Sequence, residues 1–79
     1  MPRLRLLTTK HCHLCADARA AMARVAQHAG VAWDETDVAD DEHLAREYGD
    51  RLPVVLLDGV EHGYWTVDEK RLLRDLGVV

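Results

Sequence analysis

Seventy-nine residues, 48% of them hydrophobic and 30% charged, make one small globular domain spanning 1–79 and leave no room for a second. The formal net charge of −4 argues against nucleic acid or an anionic membrane as partner, and no apolar run nears the roughly 20 residues that span a bilayer. Two cysteines are too few for a disulfide scaffold, and Met1-Pro2-Arg3 leads into a strand pattern without the apolar stretch of a signal peptide, so a cytoplasmic chain is expected.

Leu4, Leu6 and Leu7 within Arg3 to Thr8 form a short apolar run that suits a buried central strand. From Cys12 to about His28 the spacing predicts a helix. Leu14, Ala18, Ala21, Met22 and Val25 recur every three or four residues among many alanines, and Gly30 supplies the stop. Val31 to Val38, with Trp33 and Thr36 among acids, reads as an edge strand. Asp40 or Asp41 can cap a short helix that carries Leu44, Ala45 and Tyr48 on one face and ends at Gly49. The runs Leu52 to Leu57 and Val60 to Tyr64 flank Asp58-Gly59, the preferred two-residue turn of an antiparallel hairpin. Thr66-Val67-Asp68-Glu69 matches a capping box before Leu72, Leu73 and Leu76, with Gly77 as the stop.

The order β-α-β-α-β-β-α predicts an α/β domain. The first two strands, joined through a helix, should be parallel, and the hairpin should add antiparallel strands to give a mixed four-stranded sheet flanked by three helices.

The stretch Thr8-Thr9-Lys10-His11-Cys12-His13-Leu14-Cys15 places both cysteines where strand gives way to helix. A cysteine at a helix N-terminus meets unpaired N–H groups and the positive end of the macrodipole, which favour thiolate over thiol. A thiol of pKa about 8.5 is roughly 3% ionised at neutral pH, whereas one lowered to about 6 is roughly 90% ionised. Residues 1–30 carry five Lys/Arg against one acid, residues 31–50 one against eight, so the cysteines lie in the basic third. Cys15, one turn on, can reach back to Cys12 and resolve a mixed disulfide formed there. His13 between them, when partly cationic, would favour the Cys12 thiolate.

With a CxxC after the first strand, this element order and a proline opening the third strand, the sequence resembles the glutaredoxins within the thioredoxin-like fold. It looks most like short bacterial glutaredoxin-like proteins with Cys-His-Leu-Cys at the site. The resemblance covers essentially the whole chain and implies a thiol-disulfide oxidoreductase that reduces protein or glutathione mixed disulfides, with Cys12 as nucleophile and Cys15 as resolving thiol. It also implies that Pro53 is cis and faces the cysteines, and that Leu52 offers its backbone to the peptide or glutathione being reduced. The better-known glutaredoxins hold glutathione with a lysine or arginine three positions before the first cysteine and a Gly-Gly with a following polar pair. Here position 9 is threonine, Lys10 sits one place closer, and Gly63-Tyr64-Trp65-Thr66 replaces the glycine pair. Lys10 and Arg51 are the candidate carboxylate anchors, and Tyr64 and Trp65 either border the substrate groove or enter the core. No resident cofactor is expected. Glutathione is a candidate co-substrate, glutathione or a thioredoxin-type reductase the candidate reductant, and a monomer the expected state.

A metal or iron–sulfur module on the same cysteines is the alternative, since His11, Cys12, His13 and Cys15 supply four ligands within five residues. Structural zinc normally draws on two separated ligand pairs, and adjacent residues converge poorly on one tetrahedral ion. An inert cysteine pair and a redox adaptor without turnover also fit the sequence. His11 reads as an ordinary loop residue, His28, His43 and His62 as surface histidines, and the acids from Asp34 to Glu42 as an edge strand and helix start.

Overall fold

The first strand lies at the centre of the sheet because both of its faces are covered. In the computed structural model, which describes residues 3–10 and 12–78, β1 (Leu4–Thr8) pairs in parallel with β2 (Trp33–Asp37) and antiparallel with β3 (Val54–Leu57), which carries β4 (Val60–Tyr64). The order β2-β1-β3-β4 is the mixed sheet that the pattern predicts. The helices α1 (Cys15–Ala29), α2 (Glu42–Tyr48) and α3 (Glu69–Asp75) cover it.

Two clusters follow from the alternation of side chains along the strands. Leu4, Leu6 and Val55 point to one face, where Ala18, Met22 and Val25 of α1 and Leu72 of α3 meet them. Leu7, Val54 and Leu56 point to the other, under Val38 and the half-buried Leu44, Ala45 and Tyr48 of α2. Each fully buried leucine or methionine contributes about 1.5–3 kcal/mol. Among the described residues no helix is long and apolar enough to cross a membrane.

The hairpin turn is as expected, with Asp58 (φ 52) and Gly59 (φ 82) both left-handed. Gly30, at φ 69, ends α1 by donating its N–H to the Ala26 carbonyl. Between β2 and α2 the chain adds a single 3₁₀ turn, Val38–Asp40, in which Val38 is buried. Asp41 then caps α2, accepting from the N–H groups of His43 and Leu44.

Three expectations are corrected. Helix α1 begins at Cys15, not Cys12: the Cys12 N–H is turned back onto the Thr9 carbonyl at 3.2 Å, and Leu14, with no side-chain acceptor, stands at the N-cap. The cap of α3 is Asp68, accepting from the Arg71 N–H at 3.1 Å, not Thr66. The Glu69 carboxylate needed for the capping box is instead held at 3.0 and 2.9 Å by Arg24 of α1. His62 is not a surface histidine. A bulge where Val55 pairs with Gly63 and Leu56 with Glu61 leaves His62 unpaired in the ladder. Its ring turns under α3 to meet Asp75 at 2.8 Å, its side chain is only 8% exposed, and its carbonyl accepts from the Arg71 guanidinium.

Candidate active site at the end of β1

Past Thr8 the chain leaves the sheet and returns as α1, and the two cysteines mark that return. Cys12 and Cys15 form a disulfide with Cα atoms 5.4 Å apart. Cys15 is wholly buried as the first residue of α1, whereas Cys12, in the preceding turn, is partly exposed. The two cysteines of the pair thus differ in exposure, Cys12 being the one nearer solvent.

The neighbouring strands bring two more elements to this end. Leu7 pairs with Val54 and Val54 with Tyr64, so one step further the register aligns Thr8, Pro53 and Trp65. The Leu52–Pro53 bond is cis, as the resemblance implied, and Pro53 is buried. The Trp65 N–H donates to the Pro53 carbonyl at 2.8 Å, whereas among the described residues no turn or loop hydrogen bond uses the Leu52 backbone. Tyr64 and Trp65 are both exposed and packed edge to face at 5.0 Å, so neither enters the core.

Underneath, Glu35 accepts from the Thr8 hydroxyl at 2.9 Å and from Arg19 of α1 at 2.7 and 2.9 Å, tying the end of β1 to the helix. The Arg19 and Thr8 hydrogen bonds hold its carboxyl below the usual glutamate range. Neither Arg19 nor Glu35 was singled out from sequence, because a pair sixteen residues apart has no local signature.

The other expected site residues divide. Lys10 and His13 are exposed in the turns around Cys12, and neither side chain hydrogen-bonds to another described residue. His11 lies outside the described residues. Arg51 is already engaged: it clamps Glu61 at 3.0 and 2.8 Å, donates to the Glu47 carbonyl and to Asp50, and stacks 5.1 Å over the Tyr48 ring. The pair raises the guanidinium pKa and lowers that of Glu61. A ligand carboxylate would have to compete with Glu61 for it. Among the described residues no three His, Cys, Asp or Glu side chains gather where they could hold a metal ion.

A groove of about 190 Å³ opens beside the dithiol between α1 and the connection from β4 to α3. Leu14, from between the cysteines, forms one wall and Trp65 another.

The chain and its fold have counterparts among known proteins. The chain is 41% identical to an uncharacterized protein of Mycobacterium tuberculosis, over 95% of this chain and 82% of that one. A structural-genomics target protein from X. campestris superposes with a TM-score of 0.71 at 32% identity, covering 96% of this chain and 97% of that one. A mutant thioredoxin from Halobacterium salinarum shares the fold at a TM-score of 0.63 and 24% identity, over 92% of this chain and 69% of that one. The Glutaredoxin-like domain (DUF836) family matches residues 3–77, and the chain belongs to that family, on a thioredoxin-like fold.

Proposed function

We propose that this protein is a thiol-disulfide oxidoreductase acting through Cys12 and Cys15 on a protein or glutathione mixed disulfide, in a reducing cytoplasmic compartment. The observation that carries this reading is the asymmetry of the pair, Cys12 partly exposed and Cys15 buried, at the end of β1 where the register also brings the cis Pro53. In the reduced protein the Cys12 thiolate attacks one sulfur of the substrate disulfide. A Cys12–substrate disulfide forms and the first substrate thiolate leaves, taking a proton from water. Cys15 then loses its proton and attacks the Cys12 sulfur, which closes the Cys12–Cys15 bond and expels the second substrate thiolate. Two electrons pass from the dithiol to the substrate. Glutathione or a thioredoxin-type reductase restores the dithiol. In this reading a cationic imidazole at His13, between the two cysteines, favours the Cys12 thiolate.

The test equilibrates the reduced protein in glutathione buffers of graded potential, followed by acid quenching and peptide-mapping mass spectrometry. A reversible Cys12–Cys15 disulfide, and a glutathione adduct on Cys12 in Cys15→Ser, are expected. Cysteines that stay unmodified across the range in a folded protein would end the reading.

A further inference from the structure

Resting on the dithiol reading above, we infer that the substrate is a protein whose disulfide lies beside an apolar side chain followed by a lysine or arginine, with the groove between α1 and the β4–α3 connection as its docking site. A cavity of roughly 150 Å³ accepts a benzene ring, so about 190 Å³ admits one leucine- or phenylalanine-sized group. The apolar part of the lining is open: Leu14 is 43% and Trp65 54% exposed, and Ala18 and Ala21 add no long side chains to it.

The backbone at Trp65 points the same way. Thr66 donates its N–H to the Tyr64 carbonyl at 2.8 Å, closing a three-residue turn with Trp65 at its centre and φ at 68°. This is the rarer, strained hand of the γ-turn, and positive φ is uncommon for so bulky a residue. Glycine would take the position without that cost, yet the chain carries its largest side chain there and holds it out of the core. Strain at a site border is a reason to look for a contact that folding does not supply.

Charge decides the chemistry next to the apolar anchor. Arg24 at the groove is occupied by Glu69 at 3.0 and 2.9 Å, and Asp17 in the lining makes no ion pair with a described residue. Arg19 and Arg51 are taken by Glu35 and Glu61. Inside the groove a ligand carboxylate meets Asp17 and Glu69 against Arg24 alone, whereas an apolar residue followed by a cation complements that lining; the exposed Lys10 lies outside it, in the turn before Cys12.

The experiment measures single-turnover exchange of the pre-reduced protein with four disulfides. They are bis(2-hydroxyethyl) disulfide, which is too small to need the groove, glutathione disulfide, and cystine peptides carrying Leu-Lys or Gly-Glu beside the half-cystine. The Leu-Lys peptide is expected to react at least about tenfold faster than the Gly-Glu peptide or glutathione disulfide, as one well-buried anchor provides. In Trp65→Gly, which removes the side chain and relieves the backbone, and in Trp65→Ala, that ratio should fall to within about twofold, while Trp65→Phe keeps most of it. Asp17→Asn should reduce the ratio two- to threefold, as loss of one exposed charge contact does. A ratio near one in the wild-type protein, or a ratio that survives Trp65→Gly, overturns the groove assignment while exchange with the hydroxyethyl disulfide upholds the dithiol reading. Failure to exchange with any of the four overturns both.

Discussion

The two ends of the central strand are finished in opposite ways. At its start two arginines are matched within the chain: Arg3 clamps Asp58 with two bonds of 3.0 Å, and Arg5 clamps Asp34 at 2.8 and 2.9 Å. At its far end the polar groups of Thr8, Glu35 and Arg19 are matched too, but Leu14, Tyr64 and Trp65 stand exposed around a partly open cysteine. The first end leaves Val60 exposed too, at 68%, but beside an ordinary two-residue hairpin turn. The second leaves apolar surface in water and a tryptophan in a strained turn, an arrangement that a second molecule would relieve.

Five changes would break or sharpen that contrast. The largest is Cys12→Ser, which removes the open sulfur. Its single-turnover exchange rate should drop by about a thousandfold or more, because a serine hydroxyl is scarcely ionised at neutral pH. Urea unfolding under reducing conditions should meanwhile stay close to that of the reduced wild-type protein. Leu6→Ala acts on the core that both ends share. Emptying that fully buried site should cost about 2–5 kcal/mol in urea unfolding without altering exchange by the molecules that remain folded. A loss of exchange with unchanged stability would mean that the two ends are coupled through β1.

Acid tests the matched charges. The carboxyls of Asp34, Glu35, Glu61, Glu69 and Asp75 are lowered chiefly by hydrogen bonds from Arg5, Arg19, Arg51, Arg24 and His62. A carboxyl with a depressed folded pKa contributes stability that is fully present above its unfolded value, here 3.8 or 4.5, and is lost as pH falls through the folded one. The urea midpoint should therefore hold through neutral pH and fall below about pH 4.5, with a shallower fall in Asp34→Asn. Asp41→Ala, at the cap of α2 and away from both ends, should cost about 1 kcal/mol in the same measurement and leave exchange untouched. The smallest effect belongs to Trp65→Gly. It should cost less than about 1 kcal/mol, against the 3–5 kcal/mol of deleting a buried aromatic. A larger cost would show that Trp65 serves the fold and not the open end.

Much of this organisation is local enough to read in one dimension. The leucines of β1, the alanine-rich face of α1, the Asp58-Gly59 turn and the cap at Asp41 each depend on residues within about one turn of each other. The element order and the cysteine spacing carried the resemblance, and through it the cis Pro53. The misreadings have two causes, partners distant in the chain and the geometry of one short turn. Thr66 has the spacing of a capping box, but Glu69 is drawn away by Arg24, forty-five residues distant in the chain. Cys12 has the position of a first helical residue, but the turn closed on Thr9 holds it outside α1. Arg51 had the look of a free anchor until Glu61 crossed from β4 to meet it.

The sequence by itself determined the elements, their order and the residues able to do thiol chemistry, because hydrophobic period, turn propensity and side-chain reactivity are properties of short segments. Only the tertiary structure decided which cysteine is open, which cations are already occupied, how His62 is enclosed and that Trp65 stands outward at positive φ. Those depend on which distant segments become neighbours once the sheet closes, and partners far apart along the chain leave no periodicity for a sequence to show.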